Sequence, residues 1–157
     1  MKSPWVTAEQ RRAEFSITGS LPLARPRIEQ PMLRFQVIVS SYVGSADSAS
    51  SLPATFDDAL IELSKRARLF IELDGSFVWR GTSADGSEWQ VDGNLIDRGD
   101  VLAYVELSGC CPRERFDELL RAVGWPDQAL AFQLPRRGVV LDEAEFRRQA
   151  ETDIGAI

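Results

Sequence analysis

Residues 69–107 read LFIELDGSFVWRGTSADGSEWQVDGNLIDRGDVLAYVEL, and this stretch decides the fold class. Leu69, Ile71 and Leu73 recur at a period of two, which is typical of a β-strand with one apolar face. Asp74-Gly75 follows and predicts a tight turn, because glycine adopts positive φ angles without a steric penalty. The stretch therefore predicts an antiparallel sheet that is covered on one side.

Two further features extend this sheet. Trp79 and Trp89 flank a second predicted turn at residues 81–87, so we expect them to be cross-strand neighbours buried in the core. An exposed pair would instead form a platform for stacking a ligand. After the turn, two more predicted strands each have one apolar face. The first is formed by Trp89, Val91 and Leu95, and the second by Val101, Ala103, Val105 and Leu107.

Helices are predicted on both sides of this stretch. Thr55 caps the first helix with Asp58 at the capping-box position, and the apolar stripe at helical spacing runs from Phe56 to Ala67. Pro112 begins the second helix, which Gly124 ends. In that helix the spacing predicts an Asp117–Arg121 pair, and a short third helix follows a cap at Asp142, with Phe146 facing inward.

The element order predicts an α+β fold. Strand 32–43, the first helix, the strands of 69–107, the second helix and the strands of 129–141 form an antiparallel sheet covered by two main helices. This order resembles a ferredoxin-like plan with an inserted hairpin and a short C-terminal helix. Residues 1–31, in which Pro22, Pro26 and Pro31 interrupt regular structure, are interpreted as an extended N-terminal arm, and residues 32–157 as a single domain.

Composition excludes several classes of function. The chain has no histidine, which excludes histidine-dependent catalysis and histidine metal ligands. Its net charge is −6, so general nucleic-acid binding is not expected, although a local basic patch is compatible with it. No apolar run reaches the length of a membrane span, and no signal peptide is recognised. We therefore expect a cytoplasmic protein without a membrane anchor.

Cys110 and Cys111 are the candidate catalytic residues, because they precede a predicted helix start, where a thiol pKa is lowered. No C-x-x-C pattern accompanies them, and a buried, unreactive pair is the preferred interpretation. Asp92, Asp97 and Asp100 could support a carboxylate-based enzyme or a metal site. Their spacing does not match a calcium loop, so we expect turn chemistry, no metal and no cofactor.

The remaining candidate binding residues are Trp79, Trp89, Arg136 and Arg137. Arg136-Arg137 lies in a predicted turn and Arg147-Arg148 on a helix face, and both pairs are expected at the solvated surface. The sequence favours a non-catalytic binding or protein-interaction module whose partner is a protein or a small molecule. The alternatives are a thiol-based redox or small-molecule enzyme at Cys110 and Cys111, and the carboxylate-based site.

Overall fold

The computed structural model describes residues 31–42 and 51–152, so the predicted arm at 1–31 lies almost entirely outside the described residues. The elements are β1 (Met32–Ser41), α1 (Phe56–Ser64), β2 (Leu69–Ile71), β3 (Ser76–Thr82), β4 (Glu88–Arg98), β5 (Val101–Pro112), α2 (Arg113–Ala122), β6 (Leu130–Leu134), β7 (Val139–Leu141) and α3 (Glu143–Thr152). The fold is α+β, as predicted, with three helices in the described ranges.

The seven described strands form one antiparallel sheet in the order β2-β3-β4-β5-β1-β6-β7. β4 and β5 form the longest hairpin, which turns at Gly99 with a φ of 68°. β1 lies between β5 and β6, although both partners come much later in the chain. This insertion brings residues about 100 positions apart onto neighbouring strands.

An aromatic cluster joins the sheet to two helices. The Phe35 ring on β1 lies 5.0 Å from the Phe116 ring on α2, and the Phe132 ring on β6 stacks 4.6 Å from the Phe146 ring on α3. All four side chains are buried, as are Leu33, Val37 and Val39, which share the face of Phe35. Burial of such large apolar side chains stabilises the fold because it removes their surface from water.

Local sequence signals correctly predicted the ends of several elements. The Thr55 hydroxyl accepts a hydrogen bond from the Asp58 backbone N–H at 3.1 Å, and the Asp142 carboxylate accepts one from the Glu145 N–H at 2.8 Å. The turn after β2 contains Gly75 with a φ of 94°. Such contacts form between residues three or four apart, so local sequence was sufficient to predict them.

Three predictions of apolar faces were wrong at their ends. α1 stops at Ser64 and β2 at Ile71, which leaves Ala67 and Leu73 exposed beyond them. In β5, Leu102 is buried and Val101 is exposed, because a register shift opposite Ile96 and Asp97 inserts one extra residue. A bulge of this kind reverses which side chains face inward, and a regular period of two does not anticipate it.

The three helices are nine or ten residues long. A helix of that length rises about 15 Å, roughly half of the hydrocarbon thickness of a bilayer. Within the described ranges, therefore, no helix has the length and apolar character needed to span a membrane.

Candidate functional site: an arginine-lined cleft

A cleft of about 840 Å³ opens where the exposed face of the sheet meets the turn between β6 and β7. We call it the arginine cleft, because the described residues that line it include five arginines and only two carboxylates. These are Arg34, Arg68, Arg80, Arg136 and Arg137, with Glu88 and Asp92. The cleft is thus locally cationic in a chain whose net charge is −6. A concave site of one sign concentrates ligands of the opposite sign.

Strand register explains how two of these arginines share one row. Arg80 on β3 pairs with Gln90 on β4, Gln90 pairs with Cys110 on β5, and Cys110 pairs with Arg34 on β1. Residues in register across a sheet project from the same face, so all four side chains line the cleft. Three strand spacings separate the α-carbons of Arg80 and Arg34, about 14 Å. This row is the floor of the arginine cleft.

The other three arginines approach from turns. Arg68 precedes β2, and its backbone carbonyl accepts a hydrogen bond from the Arg80 N–H. Its φ of 63° lies in the left-handed region, which is costly for any residue with a β-carbon. Arg136 and Arg137 lie in the β6–β7 turn, and the Arg137 guanidinium donates to the Gln149 side chain at 3.2 Å. The predicted binding residues Arg136 and Arg137 therefore line the cleft together with three arginines that the sequence analysis did not select.

The charge in the cleft is only partly neutralised by its own side chains. Among the described residues, no ion pair involves Arg34, Arg68, Arg80 or Arg136. The Asp92 carboxylate instead accepts a hydrogen bond from the Gln90 amide at 2.9 Å. Four guanidinium groups thus retain hydrogen-bond donors that can meet a carboxylate or phosphate, an interaction favoured by the planar geometry of arginine.

The two cysteines face opposite sides of β5. Cys111 is fully buried, and burial, together with the neighbouring Cys110, raises the pKa of its thiol far above the usual range. Cys110 is only half-buried and lines the cleft between Gln90 and Arg34. The prediction of burial therefore holds for Cys111 and holds only in part for Cys110. The reason is the period of two in a strand, which sends adjacent residues to opposite faces.

Both tryptophans are core residues, as preferred in the sequence analysis. Trp79 and Trp89 are 3% and 6% exposed, and their rings meet edge to face with centroids 5.2 Å apart. The Trp79 indole donates a hydrogen bond to the Ala67 carbonyl at 3.0 Å. Trp89 contributes to the wall of the cleft, but so little of its ring is exposed that a ligand cannot stack on it.

The candidate aspartates do not converge. Asp92 lies within β4, whereas Asp97 is near its end and Asp100 follows in the turn to β5. Five residues of extended strand place Asp92 and Asp97 about 16 Å apart. Across residues 31–42 and 51–152 no group of three or more cysteines, aspartates and glutamates is arranged to hold a metal ion. The region 92–100 therefore does not form a single carboxylate site.

The predicted exposure of Arg147 was also wrong. It was expected at the solvated surface, yet it is 7% exposed and packs over the rings of Phe116 and Trp125. Its guanidinium forms an ion pair with Asp117 at 2.6 Å, so Asp117 does not form the predicted helical pair with Arg121. α3 packs beside α2 and brings a stronger, less exposed partner to this carboxylate. This pair is structural and lies outside the arginine cleft.

Comparison with known proteins adds no assignment to this geometry. No family model, no curated protein and no solved structure matches the chain.

Proposed function

We propose that this chain is a non-catalytic binding module that holds an anionic ligand in the arginine cleft. The observation that carries the proposal is the convergence of five arginines against two carboxylates on one concave surface. A charge-assisted hydrogen bond from a guanidinium contributes about 1.5–3 kcal/mol, so two or three of them account for a specific affinity. The ligand is a carboxylate- or phosphate-bearing group on a protein or a small molecule.

The shape of the site supports a compact ligand or a short segment rather than a long polyanion. The cleft is local, whereas the chain as a whole carries an excess of six negative charges. Duplex DNA or RNA presents charge along its whole length, and the net negative charge of the chain disfavours its binding. General nucleic-acid binding is therefore not part of the proposal.

Titration with inorganic tripolyphosphate tests this function. We expect binding to the parent protein that weakens as salt increases, and at least tenfold weaker binding when Arg34→Gln and Arg80→Gln are combined. The matched control combines Arg98→Gln and Arg113→Gln, two exposed arginines outside the cleft, and removes the same charge. Equal weakening by both double variants would reject a specific site, because net charge alone would then explain the binding.

A second candidate function is thiol chemistry at Cys110, which the cleft supports because this residue is half-buried beside Arg34. Cys111 is no longer a candidate, since its thiol is buried in the core. Thiol titration at neutral pH distinguishes the two functions. One rapidly labelled thiol in the native protein, lost in Cys110→Ser, would allow the enzymatic alternative. Unchanged tripolyphosphate binding by Cys110→Ser would keep the binding module as the primary function.

We also infer a ferredoxin-like arrangement for the central part of the fold. The supporting observations are the adjacent order β4-β5-β1-β6, its antiparallel pairing, and the positions of α1 and α2 in the chain between these strands. β2, β3 and β7 extend this unit at its edges. We propose a cytoplasmic location as well, since both cysteines are free thiols and a reducing compartment keeps thiols in that state.

A further inference from the structure

The central strand β1 is paired on both sides along only part of its length. β5 pairs with Met32 through Val39, but β6 pairs only with Ile38 through Ser41. On its β6 side, the segment 32–37 therefore has no strand partner within the described residues. This unpaired segment is here called the β1 notch. It is an edge in the middle of a seven-stranded sheet, and sheet edges are templates for adding another strand.

Pro135 explains why the notch exists. Continuing the register of Ile38 with Gln133 would place residue 135 opposite Gln36. Proline has no backbone N–H and cannot donate to the ladder, so β6 ends at Leu134. The backbone N–H groups of Arg137 and Gly138 instead donate to the Leu134 carbonyl and turn the chain away from β1.

The alternation of the ladder identifies which backbone groups face the notch. The Tyr42 N–H donates to the Ala129 carbonyl on the β6 side at 2.9 Å. Backbone groups point to alternate sides along a strand, so those of Gln36 and Arg34 also face the β6 side. Those of Phe35 face β5. The notch thus presents at least two N–H and two C=O groups in the arrangement that an added strand requires.

The notch opens into the arginine cleft, and its two sides differ in chemistry. On the α3 side, the partly buried Leu134 lies over the buried Phe35, Phe146 and Ala150, whereas Arg34, Arg136 and Arg137 supply positive charge toward solvent. An extended segment sends successive side chains to opposite faces. A strand that alternates apolar and acidic residues would match both surfaces at once.

We propose that the β1 notch accepts one extended segment of an acidic partner protein, which adds to β1 as a strand. This inference rests on the proposed function and specifies its partner. Charge complementarity argues against residues 1–30 of this chain as the occupant, because they carry five basic and three acidic residues. Backbone hydrogen bonds would supply affinity and the arginines would supply selectivity for acidic side chains, a recognised mode of peptide binding.

The probe is a labelled nonapeptide of alternating valine and glutamate, added to the full chain. We expect binding that falls at least tenfold when the central residue of the peptide is replaced by proline, and falls similarly when lysine replaces glutamate. Amide hydrogen exchange provides the positional readout. Exchange of Arg34 and Gln36 should slow at least tenfold in the complex, while the β5-facing amides of Phe35 and Val37 should change little.

Gln36→Pro removes the notch-facing donor but retains every arginine and the β5 ladder. It should weaken peptide binding at least tenfold and tripolyphosphate binding far less, because the Gln36 side chain lines the same cleft but carries no charge; should this variant misfold, the exchange measurement on the parent protein decides. If the proline-containing peptide bound as tightly as the original peptide, and the protein bound tripolyphosphate as proposed, strand addition alone would be overturned. If neither the peptide nor tripolyphosphate bound, the proposed function of the cleft would be overturned too.

A further outcome would also overturn the proposal. Strong protection of the Arg34 and Gln36 amides from exchange in the protein without peptide, or self-association through this edge, would show that the chain fills its own notch.

Discussion

The indole ring of Trp89 covers the α-carbon of Gly81, its cross-strand partner in the β3–β4 hairpin. A β-carbon at position 81 would overlap the ring atoms directly. The same relationship recurs between Phe77 and its partner Gly93. In both pairs an aromatic ring occupies the space that a larger cross-strand residue would need, which is a known way to stabilise glycine within a sheet.

The first prediction uses this pair. Trp89→Ala should lower the free energy of unfolding by roughly 3–5 kcal/mol, because it leaves a cavity in the core. Gly81→Ala should lower it by about 1–3 kcal/mol through overpacking against the indole. In the double variant the added methyl group no longer meets a ring, so the two losses should not add. Denaturant unfolding of the four proteins measures this; additive losses would contradict the contact.

The second prediction concerns the partner of Asp117. Asp117→Asn should lower the free energy of unfolding by an amount between the roughly 1 kcal/mol of an exposed ion pair and the 3–5 kcal/mol of a fully buried one. A double-mutant cycle with Arg147→Met should show clear coupling, since their charged groups lie 2.6 Å apart. The matched cycle with Arg121→Met should show coupling close to zero. If Asp117 were coupled more strongly to Arg121 than to Arg147, the result would support the helical pair that the sequence spacing predicts and contradict this contact.

The third prediction concerns stability in alkaline solution. Burial raises the pKa of the Cys111 thiol in the folded protein, whereas an unfolded cysteine titrates near pH 8.5. The stabilisation from this shift is complete below that pH and is lost as the pH rises toward the folded pKa, because only the unfolded chain releases the proton. Each pH unit should therefore remove up to about 1.4 kcal/mol. In Cys111→Ala the free energy of unfolding should decline less steeply between pH 8.5 and 10.5, and an identical slope would contradict the assignment.

The fourth prediction separates stability from binding at Arg68. A left-handed backbone costs a residue with a β-carbon about 1–2 kcal/mol. Glycine avoids this cost, but the greater entropy that glycine gives the unfolded chain offsets part of the gain. Arg68→Gly should therefore stabilise the fold by about 0.5–1 kcal/mol while weakening tripolyphosphate binding. Arg68→Ala is the matched control, because it removes the guanidinium and keeps the strained backbone. It should weaken binding without any gain in stability; a gain equal to that of glycine would refute the strain.

Local sequence determined the parts of this protein that depend on neighbouring residues. The helix caps at Thr55 and Asp142, the turn at Gly75 and the inward position of Phe146 follow from contacts over a few positions. The burial of Trp79 and Trp89 likewise followed from their position on an apolar strand face. These features depend on backbone geometry and hydrophobic periodicity, which a single sequence displays directly.

The arginine cleft was decided by tertiary structure. Its charges come from β1, from the residue before β2, from β3 and from the β6–β7 turn, and each arginine alone resembles ordinary solvated surface. Placing β1 between β5 and β6 brings Arg34 near Arg136, about 100 residues later in the chain. The same placement put Cys110 beside Arg34, and because β6 ends at Leu134 it left the β1 notch without a partner on that side among the described residues. Strand order and register depend on the packing energy of the whole sheet, so no local spacing in the sequence predicts which charges converge.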